Sequence, residues 1–267
     1  MDRADGWYHG IDPTDIDSAA VAIHDGNAPH PAPWPTSAVA DGIFADEDAY
    51  YSALHDATIA AAHNAVAAHS QAPDEQIKHA IRTLDDLDRI ENELTERVTA
   101  WKELSDAAAS EDPIRTALDT ERAAIDHIVS DITARRESLE TTIERTMHDV
   151  APNLTRIAGA LLGARLIALA GSLERLAKMP SGTVQVLGAE DALFAHLSDG
   201  APPPKHGLIY THEFVRGTRA EDRGSASRAL AGKLAIAARI DHYSGELRPE
   251  LAVELRERIA TIQGRAE

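Results

Sequence analysis

Lys205, His206 and Gly207 follow three prolines in the run APPPKHGLIYTHEF, Ala201 to Phe214. A cation, a planar ring and a residue without a side chain stand together at what reads as the tip of an exposed loop. The imidazole can stack on an extruded nucleotide base whatever its identity, and the ammonium group can meet the adjoining phosphate. The plainer alternative is a histidine that only finishes a turn. Arg228 and Arg239 lie three helical turns apart, so they share a face if Ser225 to His242 is one helix. Such a pair could grip phosphates; equally, Arg239 could pair with Asp241. Lys233 points away from that line, and Arg216, Arg219 and Arg223 form a second basic run in what reads as a mobile loop.

Other chemistry fails on spacing. His206, His212 and His242 lack the H-x-x-x-H interval and a carboxylate companion that a zinc site needs. Neither G-x-G-x-x-G after a strand nor G-x-x-x-x-G-K-[ST] occurs, and Gly159, Gly163 and Gly171 read as lying inside a helix, where small residues mean close helix contact. Ser225 and Ser227 have no base beside them in sequence. A catalyst, a cofactor and a metal are therefore not expected.

Behind the tip stand the elements that must hold it. Val186 to Leu197 (VLGAEDALFAHL) and Ser227 to Asp241 (SRALAGKLAIAARID) read as helices, with a short apolar, strand-like segment after Gly207. Tyr243-Ser244-Gly245 closes the second helix, and Leu251, Val253, Leu255, Ile259 and Ile262 mark one more. Upstream, Asp46 opens a helix, and Pro73 opens a long one carrying Ile77, Ile81, Leu84, Leu87, Ile90, Leu94, Val98 and Trp101. A break at Ser105 to Pro113 leads to a third long helix, where Leu118, Ile125, Ile132 and Leu139 sit seven apart. That interval signals a coiled coil, and the short break favours an antiparallel hairpin. An ordinary intramolecular helix pair would give the same periodicity, but two narrow helices cannot cover both sides of their seams, which favours a dimer. The first 45 residues predict a helix over Asp12 to His24 and an extended, proline-punctuated path over Ala28 to Thr36, either a poorly packed acidic lead-in or a docking segment.

The net charge of −18 is divided unevenly. Residues 1–150 hold 11 basic and 31 acidic side chains, residues 151–267 hold 15 and 13, so a nucleic acid would be bound in the second part. Only five residues are lysine, and an acidic, lysine-poor, alanine-rich chain looks like one from a salt-accumulating, halophilic cell. The longest apolar run, Ile157 to Ala170, is interrupted by Arg165 and is shorter than the ~20 residues of a membrane span, so no membrane is expected and a soluble, cytoplasmic protein is. Without cysteine, no disulfide or thiolate site is available.

The stretch from Val150 to Tyr243, with NLTRIAGALLGARLIALAGSLERLAKMPSGTVQ (Asn153 to Gln185), VLGAEDALFAHL and the lysine–histidine tip, resembles the Nop domain of box C/D guide ribonucleoprotein scaffolds. The resemblance implies a mainly α protein: a small N-terminal domain (1–72), a long antiparallel coiled-coil hairpin (73–150) and a C-terminal helical Nop domain (151–267). It implies a non-catalytic homodimer, joined through Leu84, Leu94, Leu118, Ile125, Ile132 and Leu139. A guide RNA with a kink-turn, carrying a small ribosomal-type kink-turn protein, would meet Gly188, Ala189, Lys205, His206, Arg223, Arg228, Lys233 and Arg239. The N-terminal part, short for the family, would recruit fibrillarin, which methylates ribose 2′-hydroxyls. The chain departs from the family where a basic stripe is common: Asp191 and Ala195 replace Lys and Arg, and Ser225 replaces Lys. A helical dimerisation protein without an RNA role is the alternative.

Overall fold

Side chains that can satisfy free N–H groups set the helix starts. Asp46 accepts from Ala49 N at 2.8 Å and opens α3, Glu47–Gln71, while Pro73 opens α4, Pro73–Asp106. α1 (Ile16–Asp25) and α2 (Trp34–Ala40) precede them. The structure is a computed structural model and describes residues 6–26, 30–106, 113–199 and 202–264. Among these it has thirteen α-helices, one 3-10 turn and no strand. The chain divides into two compact units, residues 1–72 and 73–267.

In the first unit Trp7, Tyr8, Trp34, Phe44 and Tyr50 gather into an aromatic core with Tyr8 and Tyr50 buried. Ring centroids of Trp7, Tyr8, Phe44 and Tyr50 lie 5.5 to 6.1 Å apart. Trp7 Nε1 donates to the Tyr50 hydroxyl, and the Tyr8 hydroxyl to Trp34 O. A poorly packed lead-in is therefore not what residues 6–26 and 30–45 form: aromatic rings supply a small core that acidic composition concealed. The extended path expected up to Thr36 is cut short by α2, whose turn begins at Trp34; residues 27–29 lie outside the described residues.

In the second unit α4 and α5 (Pro113–Val150) run antiparallel. Thr133 donates to Glu91 at 2.8 Å, and Arg136 reaches back to Glu91 (2.9 Å) and Asp88 (3.3 Å). The turn predicted between Ser105 and Pro113 falls mostly outside the described residues. Burial along the pair is graded. Ile77, Ile81, Leu84, Ile143 and Met147 are buried at one end, Leu94, Ile125, Ile132 and Leu139 are half-buried, and toward the other end Leu104, Ile114, Leu118 and Ile128 are exposed while Val98 is still buried.

The buried end of the hairpin shares one core with the helices that follow it. α6 (Pro152–Ala158) and α7 (Ala160–Ala170) meet at 115° across Gly159, whose φ of +78° a side chain would resist. Gly171 ends α7. Only Gly163 of the three glycines lies inside a helix, and a Cβ there would come within 2.9 Å of Met147 Cε. The expectation for Gly159 and Gly171 is corrected: they break helices. α4 grips the C-terminal end of α7 through Lys78 to Gly171 O (3.3 Å) and Arg82 to Ala168 O (3.4 Å), where cations meet unpaired carbonyls. Asp85 pairs with Arg165 at 2.6 Å, and Asp74 accepts from Leu173 N at 3.0 Å, at the start of α8 (Leu173–Lys178). α9 (Ser181–Val186), α10 (Glu190–Asp199), a 3-10 turn (Leu208–Thr211), α11 (Glu213–Arg216), α12 (Arg223–Tyr243) and α13 (Glu250–Gln263) complete the unit. The apolar segment after Gly207 is that 3-10 turn, because Leu208 to Thr211 bonds to its own neighbours at three-residue spacing.

α12 is the central helix: Ala226, Leu230, Ala231, Leu234, Ala235, Ala237 and Ala238 are all buried, and their small size lets α6, α8, α9 and α13 approach. Its last turn carries a buried carboxylate. Asp241 accepts from Asn153 N (3.0 Å), Asn153 Nδ2 (2.7 Å) and Leu154 N (2.8 Å), holding the start of α6. Asn153 also donates to Glu246 O and accepts from Arg248 N. Burial pushes the Asp241 carboxyl above its ordinary value, against the N–H donors that pull it down. Asp241→Ala leaves these donors buried without acceptors and should lower the unfolding free energy by about 3 kcal/mol in urea titrations. Ser227, whose buried hydroxyl has no hydrogen-bond partner among the described residues, is the contrast: Ser227→Ala should be neutral or raise stability by up to about 1 kcal/mol in the same titration.

Candidate nucleic-acid interface

The tip is tied down by backbone before any side chain acts. Gly207 N donates to Gln185 O (2.9 Å), Leu208 N to Leu187 O (2.8 Å), and Gln185 Nε2 to Lys205 O (2.7 Å). A Cβ on Gly207 would sit 2.1 Å from Leu187 O, so only glycine permits this approach. Gly207 thereby fixes the tip against the end of α9.

From this base Lys205 is exposed, and its ammonium group makes no ion pair with the described residues. His206 is half-buried because its ring lies on Tyr210, with centroids 4.5 Å apart and planes inclined by 23°. The Arg223 guanidinium lies over the same Tyr210 ring, 5.5 Å from its centroid, and its Nε donates to Thr218 O (2.9 Å). The three arginines do not share one loop: Arg216 ends α11, Arg219 pairs with Asp222 (3.0 Å) and Glu221 (3.4 Å) between the helices, and Arg223 opens α12. Tyr210 escaped sequence reasoning. Its four-residue spacing from His206 was the available signal, masked by reading the segment as a strand.

The remaining predicted contacts divide. Arg228 is exposed on α12 and has no ion-pair partner among the described residues. Arg239, on the same line, is exposed but engaged: Nε donates to Ala177 O (3.0 Å) and Nη2 to Met179 O (3.1 Å), closing the end of α8. The alternative partner considered for it, Asp241, serves α6 instead. Lys233 pairs with Glu254 of α13. Gly188, at φ +83°, donates its N–H to the Glu190 carboxylate (2.8 Å), and Ala189 N donates to Val186 O (2.9 Å), so both backbone donors are engaged within the fold. Beside them Asp191 is exposed on α10, and Phe194 and Leu197 of that helix are 68% and 71% exposed, too large an apolar area for a helix meant to face water alone.

The three histidines do not converge. His212 is held by Ile157 O (3.0 Å) and by Phe214 N (3.1 Å), while His242 packs on Tyr243. Among the described residues no cluster of histidine and acidic side chains could hold a metal. An open depression of about 290 Å³ beside His212, lined by Arg156, Glu213 and Arg256, carries charges of both signs.

Residues 65–262 match the family model described as Nop, snoRNA binding domain, fibrillarin. A NOP5 family protein of Methanocaldococcus jannaschii is 53% identical over 129 residues, covering 48% of this chain and 31% of that one. Nucleolar protein 56 of Homo sapiens is 39% identical over 183 residues, 66% of this chain and 30% of that one. Nucleolar protein 58 of Saccharomyces cerevisiae is 37% identical over 179 residues, 65% and 34%. The matched part thus spans about a third of these relatives. Among solved structures, the crystal structure of a fibrillarin/Nop5p complex matches over 91% of each chain, with a TM-score of 0.57 and 27% identity.

If the glycine-dependent contact fixes the tip, Gly207→Ala should release it. Trypsin cleavage after Lys205 should then quicken on the order of tenfold under native conditions, as local opening becomes easier. An unchanged cleavage rate would show that the tip is held by something else.

Proposed function

Because the chain belongs to the Nop family, we propose that it is a non-catalytic scaffold of a box C/D guide ribonucleoprotein. Its helical head would clamp a kink-turn guide RNA together with a small ribosomal-type kink-turn protein, and its N-terminal unit would recruit fibrillarin for ribose 2′-O-methylation. The observation that carries the reading is the pre-ordered tip, with Lys205 exposed and His206 held flat on Tyr210 within reach of a splayed base. Arg228 adds a free cation for the backbone. Arg239 and Lys233 support the fold that presents these groups. Exposed Phe194 and Leu197 offer an apolar face to the protein half of the complex, which fits a surface with few cations.

The hairpin supports dimerisation. Leu84 is buried in the chain's own core and so is not available to a second copy, while Leu139 packs against that core and stays half-buried. Further along the same heptad seam, Ile114, Leu118 and Ile128 remain exposed and call for a partner. The alternative of a dimerising protein without an RNA role shares this feature and is separated from the scaffold only by RNA binding.

Gel shifts with kink-turn RNA in high KCl, with and without the kink-turn protein, test the scaffold. A supershift that needs the partner protein and weakens on the order of tenfold in His206→Ala is expected. No complex under any condition would leave the dimerising protein standing. In sedimentation, Leu118→Lys combined with Ile128→Lys should turn a dimer into a folded monomer, since each places a charge in an apolar seam. A wild-type monomer would remove dimerisation from the proposal.

A further inference from the structure

His206 on a bare loop would be a poor base-stacking group. An exposed imidazole turns about two side-chain bonds, and fixing it on contact with RNA opposes binding. In the structure that ordering is already complete. Tyr210 lies 4.5 Å beneath the imidazole, nearly parallel, and its own ring is half-buried and packed against the core of the head. Arg223 lies over Tyr210 and is itself fixed through Thr218 O. Gly207 and Leu208 hold the backbone between the two rings.

We propose that Tyr210, braced by Arg223, is the positioning residue that presents the His206 ring to an extruded nucleotide base. This rests on the reading above, that His206 meets RNA. Tyr210 covers one face of the imidazole, so a base can stack only on the other. The base then extends a ladder of planar groups anchored in the core, and the binding surface is rigid before RNA arrives. Tyr210 needs its ring for this and not its hydroxyl, which donates no hydrogen bond among the described residues. Arg223 acts through Tyr210 and through its hold on Thr218, so its contribution to RNA affinity is indirect and less salt-dependent than that of Lys205.

The test uses the full chain with the kink-turn protein and a kink-turn RNA carrying 2-aminopurine at the extruded position, whose fluorescence is quenched by stacking. Tyr210→Phe should quench and bind like the wild type. Tyr210→Leu should weaken binding about three- to tenfold and leave the probe bright, the range expected for one aromatic stack. In a His206→Ala background, Tyr210→Leu should add nothing. The positioning role is overturned if Tyr210→Leu binds and quenches like the wild type while His206→Ala does not, or if the two losses simply multiply. A wild type that binds no RNA sinks the preceding reading and this one together. The stack itself is read on the protein alone: the His206 ring protons should be shifted upfield by the Tyr210 ring in the wild type and Tyr210→Phe, and lose that shift in Tyr210→Leu. Thermal unfolding separates a loss of fold in Tyr210→Leu from a loss of positioning, because Tyr210→Phe must remain normal in every readout.

Discussion

The buried carboxylate of Asp241 is the constraint on which the second unit depends. A charged group at 8% exposure is tolerable only if its oxygens are satisfied, and here they take two backbone N–H groups and one amide from the first turn of α6. Through Asn153 the same knot reaches Glu246 and Arg248, at the approach to α13. The exit of the hairpin, the end of the central helix and the lead into the last helix therefore meet at one residue pair. Hydrophobic packing alone would allow these helices to slide; directional bonds to a single carboxylate do not.

At the opposite end of α7 the arrangement is electrostatic rather than buried. Lys78 and Arg82 meet the carbonyls that α7 cannot satisfy for itself, and Asp74 accepts from Leu173 N at the start of α8. The start of α6, the end of α7 and both ends of α8 are thus met by side chains from longer helices. Each of these short helices is too brief to be stable by itself, and each becomes rigid because its unpaired polar groups are taken up. That rigidity passes to the tip, since α9 follows directly and supplies Gln185, and Leu187 after it, as acceptors for Gly207 and Leu208.

Much of this was legible in the sequence, for identifiable reasons. Pro73 and Asp46 announce helix starts through their own chemistry, and the heptad of Leu118, Ile125, Ile132 and Leu139 announces a pair of long helices. The aromatic core of the first unit was hidden because its rings come from separated positions, Trp7, Tyr8, Phe44 and Tyr50, with no periodicity to join them. Gly159 and Gly171 were misread because an apolar run with small residues looks continuous; the φ of +78° that bends the chain at Gly159 leaves no mark in composition. Among the basic residues, spacing could align Arg228 with Arg239 but could not show that carbonyls of Ala177 and Met179 would claim the second. Long-range carbonyl contacts are the least visible class in a sequence, since any residue can supply the acceptor.

The scarcity of free cations follows from the same economy of structure. Lys78, Arg82, Arg239, Lys233 and Arg223 are all engaged with protein groups, while Lys205, Arg216 and Arg228 are exposed without an ion pair among the described residues. A surface of this kind gains little from counterion release and would hold bare RNA weakly. Its strengths are shape and order: a stacked ring on a fixed tip, and an apolar helix face at Phe194 and Leu197. Both lose little in concentrated salt, because stacking and apolar contact are not screened by ions. On the proposed reading, a protein that bends the RNA first would supply the bent geometry together with an apolar surface to cover Phe194 and Leu197 of α10.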